Sequence, residues 1–242
     1  MSYPTLRLHP RKEESVLRFH PWIFSGAIAS YSAPVQDGDL VSVVDSKGRP
    51  LGTGHFGGGS IAVRLLSFDP EEAIDRAFYK RRLEAALRLR LSCGLVRPVG
   101  SCERPNTTYR LVHGEGDSLP GLIIDIYDRT AVVQAHSLGM HQARQTIAEV
   151  LWEVYAEAGD PVEPLQGIYY KSETTLPTRD MRELASDGFL IGHTEAAPIY
   201  ENGVRFTPDW LKGQKTGFFI DQRDNRELVG HYAKDRTVLN AF

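Results

Sequence analysis

The sequence has little cysteine, no long apolar run and no large excess of one charge sign. Only Cys93 and Cys102 occur among its 242 residues, which is too few for a disulfide framework, and their spacing is not that of metal ligands. No apolar run approaches the roughly 20 residues that a membrane helix needs. The first residues lack the apolar stretch of a secretory signal. These absences predict a soluble protein without membrane partners, and a reducing cytoplasm is its simplest location.

The charges of the sequence are nearly balanced but unevenly placed. A net charge of −3 argues against a chain that coats nucleic acid indiscriminately. Cations nevertheless outnumber carboxylates in residues 7–20 and again in residues 80–97. Such clusters can contact phosphates locally, although runs of charge also form ordinary solvated surface.

The first part of the chain is predicted to be a small barrel followed by a helix. Residues 1–68 hold about six short alternating segments separated by glycine-rich turns, a pattern typical of a small β-barrel. Residues 69–106 are expected to form a linker helix and a loop. Asp69 is the expected helix cap, with Pro70 in the first turn, and the helix is expected to end near Leu91.

The second part is predicted to be a compact α+β unit, and a third unit begins after it. Residues 107–200 show strands before and after an amphipathic helix that starts near Ala143. Residues 201–242 open with a turn, followed by a predicted short strand from Gly217 to Ile220 and a helix from about Asp221 to Ala233.

The last residues, Thr237–Phe242, are typical of a buried strand. About forty residues cannot build an α/β domain, since one βαβ unit alone takes roughly 30. We therefore expect residues 201–242 to be the start of a domain that is cut short. Their apolar surface would need cover, which predicts poor behaviour in isolation or a homodimer formed through this segment.

Three segments are more specific than these general patterns. Residues 18–28 contain His-Pro-Trp, residues 114–125 contain Gly-Asp-Ser-Leu-Pro-Gly, and residues 213–226 contain Gln-Lys-Thr-Gly-Phe-Phe. In this order and spacing they resemble the RlmI-like family of bacterial large-subunit rRNA cytosine-5 methyltransferases. The resemblance extends over essentially the whole chain, and the third segment is its most specific part.

The resemblance implies a mixed α/β chain of three parts. It implies an N-terminal PUA pseudo-barrel that binds structured RNA, a central α+β EEHEE domain, and the truncated start of a Rossmann-like class I methyltransferase domain. The cofactor of the family is S-adenosyl-L-methionine (SAM), held by a glycine-rich loop that this sequence does not contain.

The resemblance also implies a nucleophilic cysteine. Cytosine is a weak nucleophile at carbon 5, so a thiolate adds to carbon 6 and the resulting enamine attacks the SAM methyl group; the target base must also be flipped out or single-stranded. Cys93 and Cys102 lie far from the family's cysteine position and are expected to be structural or incidental thiols. We therefore assign no catalytic residue to this chain and expect it to be inactive alone.

The first segment and its neighbourhood supply the candidate RNA contacts. Arg11, Lys12, Arg18 and His20 can donate hydrogen bonds to phosphate or ribose, which carry affinity without sequence information. Trp22 is a candidate for stacking on a base, and packing in the barrel core is the alternative. Large-subunit rRNA is the expected partner.

The third segment supplies the candidate cofactor contacts. Lys215 and Thr216 do not form a phosphate-binding loop, because that pattern needs Gly directly before Lys. By resemblance, the segment flanks the SAM and substrate pocket, with Phe219 and Gln222 as cofactor neighbours. Lys215 and Arg223 are the RNA contacts expected there, and a structural hairpin with a capped helix is the alternative.

Other constellations carry less information. The histidines are scattered and His136 and His141 lack the spacing of zinc ligands, so no metal site is predicted. Glu115 and Asp117 form an acid pair that is expected to organise its loop rather than to hydrolyse glycosides.

Two further functions remain open at this point. The chain could be a stand-alone, non-catalytic RNA-binding module produced by truncation. It could also keep the family fold and bind another RNA, such as tRNA.

Overall fold

Six short strands form the barrel at the amino terminus. The computed structural model describes residues 3–177 and 186–239. The barrel strands are β1 (Thr5–Leu8), β2 (Trp22–Phe24), β3 (Ile28–Tyr31), β4 (Leu40–Val44), β5 (Pro50–Phe56) and β6 (Ile61–Ser67). They pair in the order β2-β6-β5-β4-β1-β3, with β1 parallel to β4 and the other pairs antiparallel. A short helix, α1 (Glu14–Leu17), lies between β1 and β2.

Alternating apolar side chains fill the barrel. Leu6 and Leu8 are buried while Arg7 between them is exposed, as period-two strands require. Strands β5 and β6 approach closely at Gly54, where an added Cβ would lie 2.2 Å from the Arg64 carbonyl oxygen. Only glycine permits that approach.

The long helix after the barrel begins later than the sequence predicts. Helix α2 spans Arg76–Ser92, and Asp75 caps it by accepting a hydrogen bond from the Phe78 amide at 2.9 Å. The predicted start at Asp69 is wrong, because Asp69 accepts from the Glu71 amide and closes a separate turn. The intervening turn lets Ile74 enter the core.

Five strands form the central sheet. They are β7 (Thr108–His113), β8 (Leu122–Tyr127), β9 (Thr130–Ala135), β10 (Gly167–Tyr170) and β11 (Gly188–Gly192). Their order is β11-β10-β9-β8-β7, and only the pair β9–β10 is parallel. Helices α3 (Leu138–Gln142) and α4 (Arg144–Glu157) connect these two parallel strands.

The two faces of the central sheet have different covers. Helices α2 and α4 pack on one face and form the largest apolar cluster of the described residues, where the hydroxyls of Tyr109 and Tyr155 are 2.8 Å apart. On the other face, Trp210 and Ile220 pack against Tyr127 and Val132. The chain after β11 therefore covers part of the sheet and leaves the rest of this face open.

The carboxy-terminal segment contains a hairpin and one helix. The hairpin strands are β12 (Ile199–Glu201) and β13 (Val204–Phe206), and helix α5 spans Arg223–Ala233. The helix lies where the sequence predicts one, but Asp221 does not cap it; it belongs to a 3₁₀ turn, Ile220–Gln222.

Both strands predicted in this segment are corrected by the structure. Residues 217–219 are irregular, because Gly217 has a φ of +116° and packs on the backbone of Trp210. Residues 237–239 are irregular and exposed, and the remainder of that prediction lies outside the described residues. Among the helices that the structure describes, none is long and apolar enough to cross a membrane.

Candidate nucleic-acid interface

An exposed basic surface lies between β1 and β2 on the barrel. Arg11, Lys12 and Arg18 are exposed, and none of the three is ion-paired with a residue in ranges 3–177 and 186–239. Arg11 takes a left-handed backbone conformation, with φ of +68°. His20 is also exposed, and its Nδ1 accepts a hydrogen bond from the Trp22 amide at 3.1 Å. These predicted RNA contacts therefore lie on one exposed segment of the chain, between β1 and β2.

Trp22 connects the barrel to the central unit. Its ring is half-buried, and its Nε1 donates to Glu115 Oε1 at 2.7 Å. Glu115 belongs to the turn Gly114–Asp117, and Asp117 in that turn accepts from Arg90 Nη2 at 2.8 Å and from the His113 amide at 2.6 Å. Trp22 thus lies at the interface between the barrel and the central unit, and its stacking on a base stays a prediction.

A buried carboxylate holds the carboxy-terminal segment on the sheet. Asp125 is fully buried and accepts two hydrogen bonds from Arg110, at 2.8 and 2.9 Å. Thr216 Oγ1 donates to the same carboxylate at 2.5 Å and lies 2.8 Å from the Tyr127 hydroxyl. Burial, together with the charge of Asp125, raises the pKa of Tyr127. The pair of Arg110 and Asp125 is bidentate and therefore geometrically specific. Because Thr216 bonds the same carboxylate, the position of the segment around Thr216 is fixed on the sheet.

The uncovered part of the same sheet face borders a cleft of about 380 Å³. The cleft lies where the barrel, the central sheet and the carboxy-terminal segment meet. Its lining includes three cations and one carboxylate, together with Gln134, His136 and short apolar residues; the charged residues are Arg64, Arg110, Lys215 and Glu115. Desolvation and the positive charge of Arg110 lower the pKa of His136. A cleft with this charge balance suits an anionic ligand.

Phe219 and Gln222, the predicted cofactor neighbours, follow Lys215 in sequence but do not line the cleft with it. Lys215 is exposed, and its Nζ lies 4.6 Å from the centre of the Phe219 ring. Phe219 is 41% exposed. The Gln222 side chain is exposed and accepts from Asn225 at 2.8 Å.

Arg223 is placed inside the protein. Its Nη2 donates to the Thr108 carbonyl oxygen at 2.5 Å, and its Nε lies 3.8 Å from Glu201. Burial lowers its pKa, and Glu201 opposes that effect. These contacts give Arg223 a structural role, and the RNA contact that the sequence predicts for it stays a prediction.

Neither thiol is part of the candidate interface. Cys93 follows α2 and Cys102 lies in the next loop, and both are free and exposed. Neither lines the cleft. Among the described residues no cluster of histidine, cysteine and carboxylate side chains could hold a metal ion.

The barrel matches a known domain family. Residues 6–68 match the family model of the PUA-like domain. The matched residues are those of the six-stranded barrel. This match supports the predicted PUA pseudo-barrel at the amino terminus.

Curated relatives match nearly the whole chain. Ribosomal RNA large subunit methyltransferase I of Shewanella amazonensis is 39% identical over 240 residues, which are 98% of this chain and 57% of that protein. The protein of the same name from Klebsiella pneumoniae is 35% identical over 99% of this chain and 57% of its own length. The resemblance found in the motifs is confirmed, and the chain spans little more than half the length of these relatives.

Solved structures share the fold. A proposed SAM-dependent methyltransferase from Streptococcus mutans superposes with a TM-score of 0.72 at 21% identity, over 95% of this chain and 54% of that chain. A second structure, a proposed methyltransferase complexed with SAH, gives a TM-score of 0.72 at 20% identity, over 95% of this chain and 53% of that chain. At these identities the likeness concerns the fold alone. It supports the mixed α/β architecture.

Sequence reasoning missed most of the cleft. Arg64, Arg110 and Gln134 are each polar residues that interrupt two apolar or aromatic neighbours within a strand, and this interruption is the signal that could have identified them. Their meeting in one cleft depends on how the barrel packs against the sheet, which no local pattern shows.

Proposed function

We propose that this chain is the RNA-binding and substrate-positioning part of a SAM-dependent methyltransferase that modifies large-subunit rRNA at carbon 5 of a cytosine. The observation that carries the proposal is the identity of 35–39%, over nearly the whole chain, to proteins named ribosomal RNA large subunit methyltransferase I. The reducing cytoplasm is the proposed location, which fits two exposed free thiols.

The geometry supports RNA as the partner. The exposed surface formed by Arg11, Lys12 and Arg18 offers three long donors without protein partners, and such donors position a nucleic acid through its phosphates. The cleft at Arg64 and Lys215 provides a second cationic region. The chain has a net charge of −3 but two separate cationic regions. This distribution favours contacts with a structured RNA at defined positions over nonspecific binding along any nucleic acid.

SAM is the proposed cofactor of the whole enzyme. Phe219 presents an exposed aromatic face and Gln222 an exposed amide on the same turn, and these groups fit stacking on an adenine ring and a hydrogen bond to it. The Arg226 guanidinium donates to the Phe219 carbonyl oxygen at 2.8 Å and so fixes the backbone of that turn. We assign no catalytic role to Cys93 or Cys102, because neither lines the cleft, and we propose that this chain is inactive alone.

Reversing the barrel charges tests the RNA-binding function. The triple variant Arg11→Glu, Lys12→Glu, Arg18→Glu should weaken binding of a structured large-subunit rRNA fragment, because three phosphate contacts are lost. The slope of log affinity against log salt should fall by roughly 2 to 3. Fluorescence anisotropy at several salt concentrations measures both quantities.

A matched control separates this surface from total charge. Arg205→Glu, Lys234→Glu, Arg236→Glu changes the net charge equally at exposed positions outside the barrel and should retain most of the salt slope. Equal affinity of the barrel variant and the unmodified chain would contradict the proposed surface. Competition by tRNA in the same assay distinguishes rRNA from tRNA as the partner, and a methyl-transfer assay with SAM distinguishes an enzyme from a stand-alone binding module.

A further inference from the structure

The wall of the cleft between the barrel and the central sheet presents an amide without a protein partner. Gln134 lies between Val133 and Ala135 on strand β9 and is 4% exposed. Its side chain lines the cleft and forms no hydrogen bond within the part of the chain that the structure describes. Its amide atoms reach the cleft surface, since neither is among the fully buried atoms that lack a partner, and a carboxamide held there by a nearly buried residue can both donate to and accept from a ligand.

Two cations border the same cleft outside any close ion pair. Neither Arg64 nor Lys215 forms an ion pair with any described residue, although Arg64 interacts electrostatically with Glu115 across the cleft. Arg110 differs, because Asp125 neutralises its charge in a bidentate pair. The two cations outweigh the one carboxylate, Glu115, and leave the cleft with a net positive charge.

Glu115 restricts which ligands the cleft can bind. Its carboxylate lines the cleft, and one of its oxygens accepts from Trp22 Nε1. The other oxygen is an acceptor with no donor among the described residues. A ligand that meets Gln134 and Glu115 together must offer a hydrogen-bond donor as well as negative charge for the cations.

We propose that this cleft binds one nucleotide of a single-stranded RNA segment. Gln134 hydrogen-bonds the edge of the base, and Arg64 and Lys215 contact the phosphates on either side of it. Glu115 only accepts, and the Gln134 amide accepts as well as donates. The two hydrogens of an exocyclic amino group can bond both residues at once, whereas uracil offers the single hydrogen of N3, so the cleft prefers a base with an exocyclic amino group over uracil. The inference rests on the proposed RNA-binding function and adds a base-reading residue to it.

The volume and location of the cleft agree with this ligand. About 380 Å³ lies within the range of small-ligand pockets, roughly 300 to 1,000 Å³. Single-stranded RNA is read through base edges that are free of pairing, and an open cleft between two units admits such a strand.

The base contact is tested with Gln134→Met, which keeps the length and removes the amide. Labelled cytidine and uridine oligoribonucleotides of twelve residues are titrated into the full 242-residue chain. The unmodified chain should bind the cytidine oligomer more tightly. The variant should lose about fivefold in affinity for it, the effect of a lost hydrogen bond, and should discriminate less between the two oligomers. Gln145→Met, at an exposed position on α4, is the matched control and should retain both properties.

The phosphate contacts are tested with Arg64→Met and Lys215→Met. Each should reduce the salt slope by about one while leaving the base preference unchanged. Lys212→Met removes an exposed cation three residues from Lys215 and should leave the slope unchanged. Melting temperatures of all variants within a few degrees of the unmodified chain show that each is folded.

The outcomes separate this inference from the proposed function. If the unmodified chain binds no RNA, the proposed function fails and the cleft inference fails with it. If RNA binds and Gln134→Met changes neither the affinity nor the base preference, the cleft inference is overturned while the proposed function stands. Unchanged salt slopes in both cation variants would overturn the assigned phosphate contacts.

Discussion

The pKa of His55 is lowered where the barrel packs against the central unit. It lies on β5, and Gly139 of α3 packs so closely that an added Cβ would be 2.2 Å from the imidazole Cγ. Its Nδ1 is buried without a hydrogen-bond partner among the described residues. Burial and then the charge of Arg64 lower the pKa of His55 to about 4.

This low pKa predicts a loss of stability at acidic pH. An unfolded histidine titrates near pH 6.5, so between about pH 6.5 and 4 the unfolded chain binds a proton that the folded chain does not. The free energy of unfolding should therefore fall over this interval, by up to roughly 3 kcal/mol from His55. His55→Leu should flatten this pH dependence, as measured by urea denaturation at pH 7.0, 5.5 and 4.5. His9→Gln, at an exposed position, should keep it, and identical curves for the leucine variant and the unmodified chain would refute the assignment.

Single residues also show what sequence could and could not predict about the site. Arg11, Lys12 and Arg18 could be selected from sequence, because clustered cations in a polar loop are exposed in most folds. Gln134 could not, because a polar residue in an apolar strand becomes informative only when its environment is known. Trp22 has the same difficulty, since its partner, Glu115, is 93 positions away.

Strands were more predictable than the points at which elements begin and end. Buried and more exposed residues alternate along β1 and β4, and strand formation follows that period directly. The cap of helix α2 is Asp75 rather than the predicted Asp69, and Ile74 beside it packs in the core. Residues 217–219 have β-forming side chains, but the backbone contact of Gly217 with Trp210 prevents a strand.

The start of α2, predicted at Asp69 and found after Asp75, can be tested by substituting each aspartate. Asp75→Ala should lower the free energy of unfolding by about 1 kcal/mol, because the Phe78 amide loses its acceptor. Asp69→Ala should cost less, since Asp69 closes only a turn outside the helix. Urea denaturation followed by circular dichroism compares the two. A larger loss for Asp69→Ala would show that the helix starts where the sequence alone predicts.

At the scale of the whole molecule, α5 is a helix with little cover. None of its residues is buried, and the side chains of Leu228, Val229 and Tyr232 are all more than half exposed. Apolar side chains that lie together on a surface favour association. We propose that the chain forms a homodimer through α5.

Sedimentation equilibrium tests the dimer. The unmodified chain should show a mass that rises with concentration towards twice 27.0 kDa, because association buries the apolar side chains of α5. Leu228→Glu together with Tyr232→Glu should give a monomer. Leu17→Glu, which changes an equally exposed leucine on the barrel, is the control and should dimerise normally. A monomeric unmodified chain at all concentrations would contradict the proposal.

The position of β1 within the barrel sheet has a consequence for how the protein can be shortened or assembled from fragments. Strand β1 lies between β3 and β4 and pairs with both, although it is the first strand of the chain. Its loss would leave β3 without a neighbour and expose the hydrogen-bonding edge of β4, and such open edges are templates for aggregation. A synthetic peptide with the sequence of β1, supplied to a chain that lacks it, would find a ready groove between two strands. The barrel can therefore be divided into two fragments that reassemble, and the smaller fragment is β1 at the amino terminus.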